Sequence, residues 1–366
     1  MNIPFIDLKT QYRALEKPIN ERIQNVLNHG QYIMGPEVAE CEKALSDYVG
    51  IKHTITCGNG TDAILMVMMA LGIKPGDEVI TTGFSFFAAA EMISLAHAVP
   101  IFVDIDPKTY NLDPLKLEAA ITPKTKLIIP VSLFGQPADC TAINKIAEKH
   151  KIPVMEDAAQ SFGGELNGKK SGNLTTVSTT SFFPAKPLGC YGDGGAIFTS
   201  DDSLANILKQ IRTHGDASRY EHVRIGLNGR MDTLQCAILI EKLKRFPWEV
   251  NKRHEIAMRF TEAFIKQEKK LNPPVIMKGA KSVYAQYTLW VEDRSAFQNK
   301  LKEKGIPTSI HYPRAIHHQE AYREVKEKFR LPHCEDAARG VISLPMYPDM
   351  SWETQKNIID AVLSAI

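Results

Sequence analysis

A chain of 366 residues with 44 basic and 42 acidic side chains has a formal net charge of +2, which gives no reason to expect nucleic acid or an anionic membrane as partner. At 44% hydrophobic residues it can bury a sizeable core, and its length suits one large domain plus a smaller lobe. No stretch approaches the roughly 18 uninterrupted apolar residues of a membrane span, and residues 1–9 lack the basic-then-apolar pattern of a secretory leader.

In chain order, the first clear helical spacing is Val38, Cys41, Ala44, Leu45 and Tyr48, with Gly50 placed to end it. A strand over 53–57 follows, then the break Gly58-Asn59-Gly60 and a helix over 61–71. Strands at 78–81 and 100–103 flank a helix at 88–96. Strands at 127–131 and 152–155 flank a helix at 141–149. Further strands are expected at 176–183 and 196–199. Strands alternating with helices of this length predict an α/β domain with a mostly parallel sheet, covered on both faces. The large domain is drawn over 1–245. Pro247 is expected to interrupt a helical region. A smaller α+β domain over 246–366 has strands at 287–291 and 308–310 and helices at 295–304 and 353–366.

The six cysteines, Cys41, Cys57, Cys140, Cys190, Cys236 and Cys334, form no C-x-x-C pair and have no histidine at zinc spacing. They read as buried thiols in a reducing compartment, so no metal is expected and the cytoplasm is the expected location.

Three segments after strands carry chemistry. Gly58-Asn59-Gly60-Thr61-Asp62 lies between a strand and a helix. It reads as a phosphate cradle at a helix N-terminus or as a tight turn with Thr61 or Asp62 as helix cap. Glu156-Asp157-Ala158-Ala159-Gln160 follows an apolar strand; its acid either faces a ligand or caps a helix. In Ser181-Phe182-Phe183-Pro184-Ala185-Lys186-Pro187-Leu188-Gly189, Lys186 stands in a largely apolar run before a proline. It reads as a nucleophile toward an aldehyde or as a snorkelling surface lysine. The glycine-rich Gly189-Cys190-Tyr191-Gly192-Asp193-Gly194-Gly195 leads into a strand, so it is no dinucleotide fingerprint.

In this order, the three motifs closely resemble those of the DegT/DnrJ/StrS nucleotide-sugar aminotransferases. So do Phe5-Ile6-Asp7-Leu8, Met34-Gly35-Pro36, Phe102-Val103-Asp104-Ile105-Asp106 and Gly226-Leu227-Asn228-Gly229-Arg230-Met231-Asp232. The run from Ser181 to Gly195 is most similar to members that aminate C3 of UDP-2-acetamido-2-deoxy-3-oxo-glucuronic acid. The resemblance implies a pyridoxal-phosphate-dependent fold of type I, with glutamate as amino donor and pyridoxamine phosphate as the alternate cofactor form. It also implies a homodimer with shared active sites and a role in surface polysaccharide (lipopolysaccharide or O-antigen) biosynthesis.

By the same resemblance, Lys186 would carry pyridoxal phosphate and Asp157 would pair with its ring nitrogen. Gln160 would approach the ring hydroxyl, and Gly60, Thr61 and Ser181 would bind the phosphate. Phe86 would lie over the ring; from the residues alone it is a core aromatic of the run 84–87. Asn228 would reach the partner subunit's cofactor phosphate; otherwise it is a turn residue beside Gly226 and Gly229. His311 and Tyr312 would line the sugar site. An acidic sugar nucleotide needs local cations, and Arg212, His214, Arg219, His222, Arg224 and Arg230 cluster within 212–230. Two departures bear on substrate: Tyr347 and Asp216 stand where relatives often carry His and Gln. Other readings are a 4-keto nucleotide-sugar aminotransferase, a dehydrating branch (which has His in place of Lys186), a non-catalytic binder of cofactor or nucleotide sugar, and a plain nucleotide-binding domain.

Overall fold

The computed structural model describes residues 3–267 and 271–366. The chain opens with α1 (Leu8–His29) and α2 (Pro36–Val49), then β1 (His53–Cys57), α3 (Gly60–Ala70), β2 (Glu78–Thr82), α4 (Ala88–Leu95) and β3 (Val99–Val103). The single-turn α5 (Pro114–Leu117), β4 (Thr125–Ile129), α6 (Cys140–His150) and β5 (Met155–Asp157) follow. A short hairpin, β6 (Glu165–Leu166) and β7 (Lys169–Lys170), precedes β8 (Val177–Ser181), β9 (Gly195–Thr199) and α7 (Asp202–Arg212). A second hairpin, β10 (Asp216–Ser218) and β11 (Glu221–His222), leads to the long α8 (Thr233–Phe264). After α8 come β12 (Leu271–Asn272), β13 (Ala280–Lys281), β14 (Tyr287–Val291), α9 (Arg294–Glu303), α10 (Pro332–Gly340), β15 (Val341–Leu344) and α11 (Trp352–Ala365). Of these, β12, β14, β15, α9 and α11 build a small lobe, whereas β13 pairs with β6 and Cys334, Ala337 and Ala338 of α10 pack in the core of the large sheet.

The strands β1-β9-β8-β5 form one ladder and β3-β2-β4 another. Parallel bridges Ile128↔Val154 and Val131↔Asp157 join them into a sheet ordered β1-β9-β8-β5-β4-β2-β3. β9 runs antiparallel to both of its neighbours, β1 and β8, and the other neighbouring pairs of this sheet are parallel. Runs such as Leu127, Ile128 and Ile129 are buried throughout, as strands covered on both faces must be. Helices α3, α4 and α7 pack one set of apolar side chains against the sheet, while α2 and α8 cover Phe162, Phe182 and Phe198. The expected α/β architecture is therefore present.

The expected break at Pro247 is absent: α8 runs through it for 32 residues. Proline inside a helix costs about 3 kcal/mol, but α8 is anchored on both sides of it. Phe246 is fully buried and stacks on Phe162 at 5.8 Å, while Ile256, Ala257, Phe260 and Phe264 enter the small-lobe core. The 245/246 division thus falls within a continuous helix. Ile3 also packs in the small-lobe core, away from the large domain to which the N-terminal segment was assigned. The strand expected at 308–310 is a single bridge, Ser309↔Ser343. Among the described residues, no helix is long and apolar enough to cross a membrane.

Candidate active site

A cavity of about 630 Å³ opens at the carboxyl ends of β1, β2, β5 and β8, where an open α/β sheet places its ligands. Gly60, Thr61, Phe86, Asp157, Gln160, Ser181, Lys186, His311 and Tyr312 all line it. Residues from four separate strand ends and the small lobe thus converge on one space.

The segment after β1 starts α3. Asn59 caps the helix by accepting the Asp62 N–H at 2.8 Å. Gly60 and Thr61 occupy the first two helical positions, whose N–H groups have no acceptor within the helix. A Cβ on Gly60 would stand 2.8 Å from Ser181 Cβ, so glycine is required for this close approach of helix start and strand end. Backbone donors and a hydroxyl at a helix N-terminus make an anion cradle. The cap is Asn59, whereas Thr61 and Asp62, the expected caps, lie inside α3; Gly60 and Thr61 line the cavity.

Asp157 is the last residue of β5, and no helix starts there. It is therefore not a helix cap. Its Oδ1 accepts the Ala159 N–H at 3.0 Å, and the side chain reaches the cavity. Burial pushes its pKa above the usual carboxylate value, against the Ala159 N–H and the positive charge of Lys186. Lys186 follows a tight turn in which its N–H donates to the Phe183 carbonyl at 2.8 Å. Burial pushes its ammonium pKa below the usual value, with Asp157 opposing. Half-buried in the wall of the cavity, Lys186 is not a snorkelling surface group.

Glu156, adjacent in sequence, points to the opposite face of the strand and is fully buried. Its carboxylate accepts from Ser132 Oγ at 2.9 Å, Ser171 Oγ at 2.5 Å and the Gly172 N–H at 2.9 Å. The two acids divide the work, Asp157 in the cavity and Glu156 tying 171–172 to the sheet. Glu156→Ala should therefore lower stability by at least about 1–3 kcal/mol, because it strands buried donors. A denaturant titration in which the midpoint does not move would contradict this role.

Phe86 is 54% exposed and leans over the cavity, 6.1 Å from the Tyr312 ring. It is an open platform for a planar ligand, not a core aromatic. Gln160 is held on both sides: Oε1 accepts the Phe134 N–H at 3.0 Å and Nε2 donates to the Tyr312 hydroxyl at 3.0 Å. His311 Nδ1 lies 3.1 Å from Ser343 Oγ, and burial together with nearby Lys186 lowers its pKa.

The basic segment corrects one expectation. Arg212 is 5% exposed and its guanidinium donates to Glu42 at 2.5 Å and to the Thr56 carbonyl at 3.1 Å. A buried cation already paired with Glu42 ties α7 to α2 and β1 and is no substrate ligand. His214, Arg219 and Asn228 are exposed and lie outside this chain's cavity. Arg219 sits over the Tyr220 ring at the hairpin tip, 5.1 Å away. Arg230 is half-buried, with its Nε hidden from solvent and without a hydrogen-bond partner. Of the two departures, Asp216 pairs with His222 at 2.6 Å and Tyr347 is buried in the small-lobe core, so neither lines the cavity.

Among the lining residues that the sequence reading did not name as site residues are Asp62, Asp193, Phe183 and Gln286. Asp62 and Asp193 bring carboxyl groups to the cradle, and burial raises the Asp62 pKa with Asp193 adding to it. The position of Asp193 among glycines was the available signal. Phe183 forms part of the wall at 52% exposure. Gln286, just before β14, lines the cavity with a buried Oε1 that has no partner; no local pattern marks it.

The donor set fits pyridoxal phosphate. An anion cradle, a buried carboxylate, an amine and an aromatic platform share one cavity of suitable volume. The comparisons with known proteins agree. A curated Pseudomonas aeruginosa protein, UDP-2-acetamido-2-deoxy-3-oxo-D-glucuronate aminotransferase, is 54% identical over 98% of this chain and 99% of its own. The crystal structure of a DegT DnrJ EryC1 StrS aminotransferase from Brucella abortus superposes with a TM-score of 0.94 at 42% identity, covering 99% of each chain. A Bacillus subtilis structure with bound cofactor PMP matches with a TM-score of 0.90 at 33% identity, covering 99% of this chain and 83% of its own. The family model for these enzymes matches residues 13–363, nearly the whole chain with both lobes and every cavity-lining motif after α1 begins. This chain belongs to the DegT/DnrJ/EryC1/StrS aminotransferase family.

Proposed function

We propose that this chain transfers the amino group of glutamate to C3 of UDP-2-acetamido-2-deoxy-3-oxo-glucuronate, releasing 2-oxoglutarate and the 3-amino sugar nucleotide. The observation that carries the reading is that a buried Asp157 and Lys186 line one cavity beside the helix start at Gly60 and Thr61. The choice of sugar rests on the 54% identical relative.

Bound in the cavity, pyridoxal phosphate supplies an electron sink that makes the α-proton of the amino donor removable. Lys186 holds the cofactor through Nζ. The same Nζ would be the base that takes that α-proton and the acid that returns a proton to the sugar carbon receiving nitrogen. Asp157 keeps the ring nitrogen protonated. Gly60, Thr61 and Ser181 bind the phosphate, Phe86 covers the ring, and Gln160 approaches the ring hydroxyl, held there by the Phe134 N–H and Tyr312. His311 and Tyr312, on the small-lobe side, face the sugar. The 4-keto nucleotide-sugar reading uses the same machinery and differs only in where the sugar carbonyl is presented.

The enzyme is further proposed to act in the cytoplasm, in surface polysaccharide biosynthesis, as a homodimer with shared sites. Asn228, His214 and Arg219 are exposed outside their own chain's cavity, as expected of residues that serve the partner subunit's site. The deciding experiment supplies 3-oxo and 4-keto nucleotide sugars with ¹⁵N-glutamate to the protein and reads the products by mass spectrometry. The reading requires labelled amino sugar from the 3-oxo uronate in preference to the 4-keto substrates. Activity that persists at dilutions where light scattering shows only monomer would exclude the shared site.

Arg230, with its unpartnered Nε, is the candidate for the anionic part of the sugar nucleotide. Arg230→Ala should raise the apparent KM for the sugar nucleotide about ten-fold or more, the scale of one charged hydrogen bond. The KM for glutamate should change less. Equal changes in both would remove Arg230 from sugar recognition. Arg219→Ala should follow the same pattern if the hairpin reaches the partner's site.

A further inference from the structure

A second cluster of chemistry-bearing side chains lies outside the cavity. His317 and His318 are neighbours on the one-turn 3-10 helix Ile316–His318, and Glu335 faces them from α10. His317 Nε2 is 3.3 Å and His318 Nε2 3.9 Å from the same Glu335 Oε1. One ligand atom from each residue lies within 4.8 Å of the others. Metal bonds of about 2.0–2.2 Å at tetrahedral angles set donor atoms roughly 3.3–3.6 Å apart. The triangle therefore needs only small side-chain adjustments to accept an ion.

We propose that His317, His318 and Glu335 bind a divalent transition-metal ion, with water completing the coordination. Two imidazoles and one carboxylate favour zinc-like ions over magnesium or calcium, which prefer all-oxygen sites. The imidazole rings stand 4.1 Å apart, and a lone carboxylate oxygen serves two of them poorly. A cation between the three would satisfy all at once. His317 is fully buried, so its imidazole is held in place by the surrounding packing. His318 and Glu335 keep 48% and 44% of their side chains exposed, which leaves an entry path. Asp104 is committed to Lys116 and to the N-terminus of α10 and is not part of the triangle.

His317 Nδ1 is buried without a partner. Metal-bound histidines usually donate this N–H, and lacking that partner weakens binding about 10- to 100-fold. The site is therefore one of moderate affinity. Its place in the fold links it to the active site without entering the chemistry. The segment that carries Tyr312 continues to Ile316, whose N–H donates to the Gly83 carbonyl at 2.8 Å, and then to the two histidines. A bound ion would pin that segment to α10.

The test is calorimetric titration of tag-free, full-length holoenzyme with zinc chloride, and with cobalt(II) chloride for its absorption bands. One ion per chain is expected. His318→Ala and Glu335→Gln should each weaken binding at least about ten-fold while thermal unfolding shows both variants folded. Both side chains are substantially exposed, so these changes spare the core. No binding by the wild-type protein, or equal binding by both variants, would overturn the proposal. All six cysteines are buried, so they offer the added ion no ready competing site.

Discussion

Replacing Lys186 by alanine is expected to lower turnover by at least about 10²–10⁴-fold, the range for removing a positioned general acid–base. The loss should exceed that of any other single change, because in the proposed mechanism one amine would both hold the cofactor and move the protons. The lysine is prepared for this by its surroundings. The turn closed by the Lys186 N–H on the Phe183 carbonyl aims it into the cavity, and burial there lowers its ammonium pKa. The cradle at Gly60, Thr61 and Ser181 and the carboxylate of Asp157 remain intact in the variant. It should therefore still bind pyridoxamine phosphate, seen as retained cofactor absorbance after gel filtration. A variant with near-normal turnover would move the catalytic role to another amine.

Asp157→Asn is expected to cost roughly 10²-fold or more in kcat, on the scale of losing a preorganised electrostatic group. Asparagine keeps the shape and can still accept the Ala159 N–H, so the fold around β5 should survive. What disappears is the negative charge, which in this buried setting is costly to maintain. A protein accepts that cost where the charge meets a cation, and a protonated ring nitrogen is such a cation. Steady-state kinetics at saturating cofactor should show the loss in kcat, while a variant as fast as wild type would reduce Asp157 to a turn-stabilising residue.

Much of this site was legible from local sequence because its residues follow strands. The apolar run before Asp157 and the glycines before Thr61 mark strand ends, and the parallel sheet brings strand ends together. Lys186 was legible through its proline neighbours and apolar setting. The roles of Asp157 and Lys186 came from the family resemblance, whereas spacing alone left each with a structural alternative. Arg212 was misread because nothing local announces Glu42, 170 positions away, as its buried partner. Pro247 was misread as a helix breaker because its penalty is local while the packing of Phe246 and Phe260 on either side is tertiary. Gln286 and the His317–His318–Glu335 cluster depend on how the small lobe folds back, and no local pattern foretells that.

The central claim is that Lys186 is the residue to which pyridoxal phosphate is attached. Borohydride reduction of the holoenzyme followed by peptide mapping tests it most directly. The account predicts one pyridoxyl group per chain, on the peptide containing Lys186 and absent after pre-incubation with glutamate; a pyridoxyl group on any other lysine would contradict it.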